Sequence, residues 1–120
     1  MTNATHTSTP DRRLTAAAIG AFVVGALADL GTTHVGLQEG FTESNPLGVA
    51  AMALVGHPTA GIAAFKAGVM ALTVACTWWL WQDATASERI ELLYIPSGVG
   101  CLWAVFALWN TLVVSGVVGW

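Results

Sequence analysis

Asp29, Lys66 and Asn110 each stand inside a long apolar run, and theirs are the side-chain types in this chain most able to do chemistry. A carboxylate, an ammonium and a carboxamide brought together can neutralise one another, hold a small polar solute or pass a proton. A charge at the centre of a bilayer costs roughly 2.5 to 3.5 kcal/mol on insertion scales, so residues of this kind mark a site by default. Helical spacing extends each point into a stripe. Gly25, Asp29, Thr32, Thr33 and Gly36 share one face of a first helix, and Lys66, Met70, Thr73 and Thr77 one face of a second. The connector Glu43-Ser44-Asn45-Pro46 adds another carboxylate and another amide. The candidate ligand- or ion-binding residues are therefore Asp29, Thr33, Lys66, Asn110, Glu43 and Asn45.

The elements that must position them follow from composition. Of 120 residues, 55% are apolar and 9% charged, and mean hydropathy is +0.66, where a soluble domain carries roughly 25% charged residues. Eleven charged side chains cannot cover a water-exposed globule of this size. That excludes an ordinary soluble enzyme, a disordered tail and a disulfide-stapled module. Four basic residues and a net charge of −3 exclude nucleic acid as a partner. What remains is an integral membrane protein whose first partner is the lipid bilayer.

The expected fold is all-α: a small transmembrane helical bundle of three full spans plus one short re-entrant half-helix. Residues 1–13 are expected to be a flexible polar tail and 14–120 a single transmembrane domain. Leu14 to Leu37 would measure about 36 Å as a helix, enough for a hydrocarbon core of about 30 Å. Thr59 to Trp81 is the second crossing and Pro96 to Trp120 the third, with polar connectors at Gln38–Asn45 and Gln82–Arg89. Leu47–Val55 is apolar but too short to span, and Gly56-His57-Pro58 stops it. Asn45 suits the N-cap of that helix and Pro46 its first turn. Because Leu47–Val55 has no polar face, a re-entrant placement suits it, with its N-terminus toward the outer side. Arg12, Arg13 and Arg89 put the N-terminus and the second connector in the cytoplasm, and Gln38–Asn45 and the C-terminus outside. Counted from the outer ends, Asp29 lies about 12 Å deep, Lys66 about 10 Å and Asn110 about 15 Å, so one level is expected for all three.

A rival reading concerns the first span. Arg12-Arg13, an apolar run and Ala26-Leu27-Ala28 are similar to a secretory or twin-arginine signal with its cleavage site. The Phe-Leu that usually follows the arginine pair is missing, and hydrophobicity resumes beyond Asp29, so a retained span is expected. Ala16/Gly20 and Ala21/Gly25 are small-residue pairs that let helices approach. Cys76 and Cys101 are expected as small packing residues, His34 as an interfacial side chain and His57 as a loop residue. Most of the six tryptophans sit near helix ends like an aromatic belt, Trp103 and Trp109 deeper.

Asp29-x-x-Thr32-Thr33, Gly36, Gly40, Glu43-x-Asn45-Pro46-Leu47 and Lys66 together resemble a family of small prokaryotic, largely haloarchaeal, membrane proteins catalogued as a domain of unknown function. The resemblance covers Leu14 to Lys66 well and the last crossing loosely. It implies three or four membrane helices and no activity, substrate or cofactor.

Three functional classes follow. The preferred one is a small channel- or transporter-like protein, a homo-oligomer or bound to a membrane partner subunit, with an outward-facing intramembrane polar site. The second is an accessory or scaffold subunit in which Asp29 and Lys66 are a purely structural ion pair. The third is an intramembrane enzyme acting on a lipid with Asp29 as acid–base group. No GxSxG, HExxH or phosphate-binding loop occurs, so no catalytic residue and no cofactor is assigned. His34, Glu39, Glu43 and His57 match no metal-ligand spacing, so no metal is assigned either.

Overall fold

In the computed structural model, which describes residues 11–118, five helical segments follow one another: α1 Arg12–Gln38, α2 Pro46–Val55, α3 Pro58–Asp83, α4 Ala86–Leu92 and α5 Tyr94–Val114. The fold is all-α, with no strand among the described residues. Residues 1–10 of the expected tail, and Trp120, lie outside the described residues.

Local chemistry explains each boundary. The Asp11 carboxylate accepts the Arg13 N–H at 3.0 Å, so α1 starts at Arg12 and Arg12 and Arg13 are helical, two residues before the expected Leu14. Asn45 caps α2 by accepting the Leu47 N–H at 3.1 Å, and Pro46 supplies the first turn, as its spacing predicted. Gly56 ends α2 at φ 73, a left-handed conformation that favours glycine. His57 then caps α3, its ring nitrogen accepting the Ala60 N–H at 3.3 Å. It is a helix cap where a plain loop residue was expected.

The second connector holds more structure than its polarity suggested. Thr85 and Glu88 form a reciprocal capping box at the start of α4. The backbone N–H and hydroxyl of Thr85 hold the Glu88 carboxyl below the usual carboxylate range. Pro96 falls in the first turn of α5, where its missing N–H costs little. The third crossing ends at Val114, short of the expected Trp120, because the chain turns at Ser115 and Gly116, the latter at φ 73.

Three helices are long and apolar enough to cross a membrane: Arg12–Gln38, Pro58–Asp83 and Ala86–Val114. Only 28%, 22% and 22% of their most apolar windows are buried, so most of each helix presents apolar side chains outward, as lipid requires. Trp78, Trp79 and Leu72 are among those exposed. Cys76 and Cys101 are free and exposed, which corrects their expected packing role.

α1 packs most extensively on α5. The crossing is set by glycine: a Cβ on Gly25 would lie 2.1 Å from the Gly100 carbonyl oxygen, and one on Gly100 would lie 2.3 Å from that of Ala21. The pair Ala21/Gly25 therefore does what small residues do in membrane helices, letting backbones touch. Ala16 and Gly20 are exposed and take no part. Below the crossing Phe22 stacks on Trp103, ring centroids 5.7 Å apart, with Ala26 beside them. α2 and α3 form a separate hairpin, tightened where Gly61 meets the Met52 backbone. That hairpin meets α1 and α5 over a smaller area, which gives the polar contacts there unusual weight.

Candidate functional site

Lys66 from α3 forms an ion pair with Asp29 from α1, its ammonium donating to Asp29 Oδ2. Both residues are buried, with Asp29 5% and Lys66 8% exposed. Asn110 from α5 donates through Nδ2 to the other Asp29 oxygen at 3.2 Å, and its amide nitrogen also lies 3.2 Å from Thr33 Oγ1 and 3.4 Å from Thr32 Oγ1. The carboxylate is thus held from both sides, by one cation and one amide. Lys66 has a second anchor in the Trp103 ring, whose centroid lies 5.2 Å from Nζ.

Each long helix therefore contributes one strongly polar group to a single level. The expected depths need one adjustment. Counted from the helix ends, Asp29 and Lys66 lie about 12 to 14 Å in, but Asn110 only about 6 Å, because α5 stops at Val114. The three meet because α5 itself ends deeper in the bundle.

The rest of the two stripes behaves as helical spacing demands. Gly25 and Gly36 are buried on the Asp29 face, and Thr73 is buried on the Lys66 face with its hydroxyl bonded back to the Val69 carbonyl at 2.8 Å. Thr77, one turn further, has its Oγ1 buried without a hydrogen-bond partner.

Glu43 and Asn45 stand at the edge of the cluster, not in it. Glu43 Oε1 accepts the Asn45 N–H at 2.7 Å, and its side chain lies across the first turn of α2. Gly48 makes the room: a Cβ there would come within 3.0 Å of Glu43 Cγ. Asp29, Thr33, Glu43, Asn45, Lys66 and Asn110, all six candidates, line one cleft of about 540 Å³ bounded by α1, α2, α3, α5 and the connector. Phe65, Trp103, Phe106 and Trp109 supply its aromatic lining. A smaller cavity of about 110 Å³, under the connector, shares Thr33, Glu43, Ser44, Trp109 and Asn110 with it.

His34 departs from expectation. Its Nδ1 lies 2.8 Å from Thr59 Oγ1, so it ties the end of α1 to the start of α3 instead of reaching for the interface. No group of three or more His, Cys, Asp or Glu converges among the described residues, so His34, Glu39, Glu43 and His57 do not come together. Sequence reasoning missed Thr59 as a partner and the seat of Lys66 on Trp103. The helical register of Phe22, Ala26 and Asp29 on one face held the clue to the latter.

Comparison with protein-family models, with curated proteins and with solved structures returned no match for the chain.

Proposed function

We propose that this chain is a small channel- or transporter-like membrane protein that receives a polar solute in the cleft above the Asp29–Lys66–Asn110 cluster. One observation carries the reading: charged and amide side chains from all three long helices, plus the connector carboxylate, line a single cleft of about 540 Å³. Ligand sites occupy roughly 300 to 1,000 Å³ and combine apolar walls with a few convergent polar groups. A short helix whose N-terminus faces a polar intramembrane site is also the device by which secondary transporters hold ions. Here α2 presents Asn45 and Pro46 to the cleft.

With Arg12, Arg13 and Arg89 in the cytoplasm, the connector side of the cleft opens outward and α2 is a re-entrant half-helix. Three helices enclose little volume, so the working form is a homo-oligomer or a complex with a membrane partner subunit. On the residues Asp29, Thr32, Thr33, Glu43, Asn45, Pro46 and Lys66 we also place the chain with the haloarchaeal-type family of unknown function.

The competing scaffold reading is favoured by the burial of the ion pair, in which Lys66 and Asp29 neutralise each other beside Trp103. Flux into proteoliposomes separates the two. Wild-type protein is expected to conduct or exchange a small solute under a gradient, and Lys66→Ala to abolish this while the protein still reconstitutes. Absence of flux under any ion or solute gradient overturns the transport reading.

A further inference from the structure

The charge and lining of the cleft narrow what it accepts. This step rests on the transport reading above and names the ligand class for the same site. Two carboxylates and one ammonium face the cleft. Lys66 is spent on Asp29, which is the one ion pair among the described residues. Glu43 is left with a single neutral donor, the Asn45 N–H, and its Oε2 has no partner among the described residues. The cleft therefore carries one uncompensated negative charge.

An anion entering it would meet Glu43 and find its only cation already paired. A metal ion held through His, Cys, Asp or Glu finds no group of three such side chains among the described residues. Aromatic rings line the same cleft, Trp109 and Phe106 among them, 54% and 47% exposed. A carboxylate and aromatic rings lining one cleft supply the two elements that recognise alkylammonium groups, charge and ring quadrupoles. The protein already shows the second half of this chemistry once, in the Lys66 ammonium seated 5.2 Å from the Trp103 centroid. We infer that the cleft binds an organic ammonium cation between the Glu43 carboxylate and the Trp109 and Phe106 rings.

Binding is measured apart from flux, using benzyltrimethylammonium as the probe and the full chain in maltoside micelles. The readout is tryptophan fluorescence, confirmed by calorimetry. Saturable binding is expected. Its neutral carbon isostere neopentylbenzene, and the anion benzoate, should fail to compete. Glu43→Gln keeps the oxygen that accepts the Asn45 N–H and should weaken binding by roughly tenfold or more. Trp109→Leu should weaken it by roughly three- to fivefold, and Trp109→Phe by less. Trp78→Leu, on the exposed face of α3, serves as the fluorescence control and should leave affinity unchanged.

Benzoate or the neutral isostere binding as well as the cation overturns the inference. So does an affinity indifferent to Glu43→Gln in protein whose helicity and monodispersity match wild type. Repetition in nanodiscs distinguishes the source of the cation. An apparent affinity lowered by phosphatidylcholine relative to an uncharged galactolipid supports a lipid headgroup, and an equal one supports a soluble amine. If the cation binds but no solute is moved, the transport reading fails alone. If another solute is moved and the cation never binds, the ligand class fails alone.

Discussion

Replacing Lys66 with Met removes the ammonium while keeping much of the stem, and leaves the Asp29 carboxylate buried with only the Asn110 amide at 3.2 Å and no cation. Breaking a buried ion pair from one side costs about 3 to 5 kcal/mol, because the remaining charge stays desolvated. Two features set the value here. The Asn110 bond survives, and the unfolded helices in a micelle also find polar partners, so the lower end, about 3 kcal/mol, is the expected loss. The small area by which the α2–α3 hairpin meets α1 and α5 concentrates that loss on one docking event. Adding Asp29→Asn to Lys66→Met removes the stranded charge while keeping an amide for Asn110. The double variant is therefore expected to regain most of the loss and sit within about 1 kcal/mol of wild type. Reversible unfolding by SDS in mixed micelles, followed by tryptophan fluorescence, gives all four free energies: wild type, Lys66→Met, Asp29→Asn and the double variant. Lys66→Met within about 0.5 kcal/mol of wild type, or a double variant as unstable as the sum of the singles, would falsify the buried-pair reasoning.

The glycine crossing predicts a contrast. Gly25→Ala drives a methyl into the Gly100 carbonyl and should cost about 1 to 3 kcal/mol or more in the same assay, whereas Gly31→Ala, with nothing within 4 Å, should be neutral or gain about 0.5 to 1 kcal/mol. His34→Ala removes the link to Thr59 and should cost about 1 kcal/mol, with faster amide exchange at the start of α3. For α4 the sign follows from a lowered Glu88 pKa: the capping box helps above the usual carboxylate range and is lost as pH falls through the depressed value. Amide protection at Glu88 and Arg89, read by exchange against pH, should therefore persist below the ordinary carboxylate titration, and Thr85→Ala should move its loss to higher pH. N-terminal sequencing of protein purified from membranes should find a start upstream of Asp29, since cleavage after Ala28 would remove Phe22, Gly25 and Ala26 from the α1–α5 contact.

Several features were written in the sequence because they are local or periodic. Long apolar runs with few charges point to membrane helices whatever their arrangement, since a helix satisfies its own backbone within a single segment in hydrocarbon. Asn45-Pro46 and Gly56 bound α2 through contacts spanning a few residues, and a spacing of three or four placed Gly25, Asp29 and Gly36 on one buried face. Charge economy paired Asp29 with Lys66, because each has only one buried opposite charge among the described residues.

Other features needed the fold. Where α5 stops depends on how Ser115 and Gly116 turn, and depth counted from Trp120 had no access to it. Whether Glu43 joins the ion pair or stands apart depends on the Gly48 seat on α2, and whether a cysteine faces protein or lipid depends on how the helices rotate. His34 finds Thr59 across 25 residues of chain, and Lys66 finds the Trp103 ring only once α3 lies beside α5. Polarity and periodicity are properties of one helix, whereas a meeting between helices is fixed by rotation and crossing point. In this protein those are set by three glycines, Gly25 against Gly100 and Gly61 against Met52, whose missing side chains let the backbones touch.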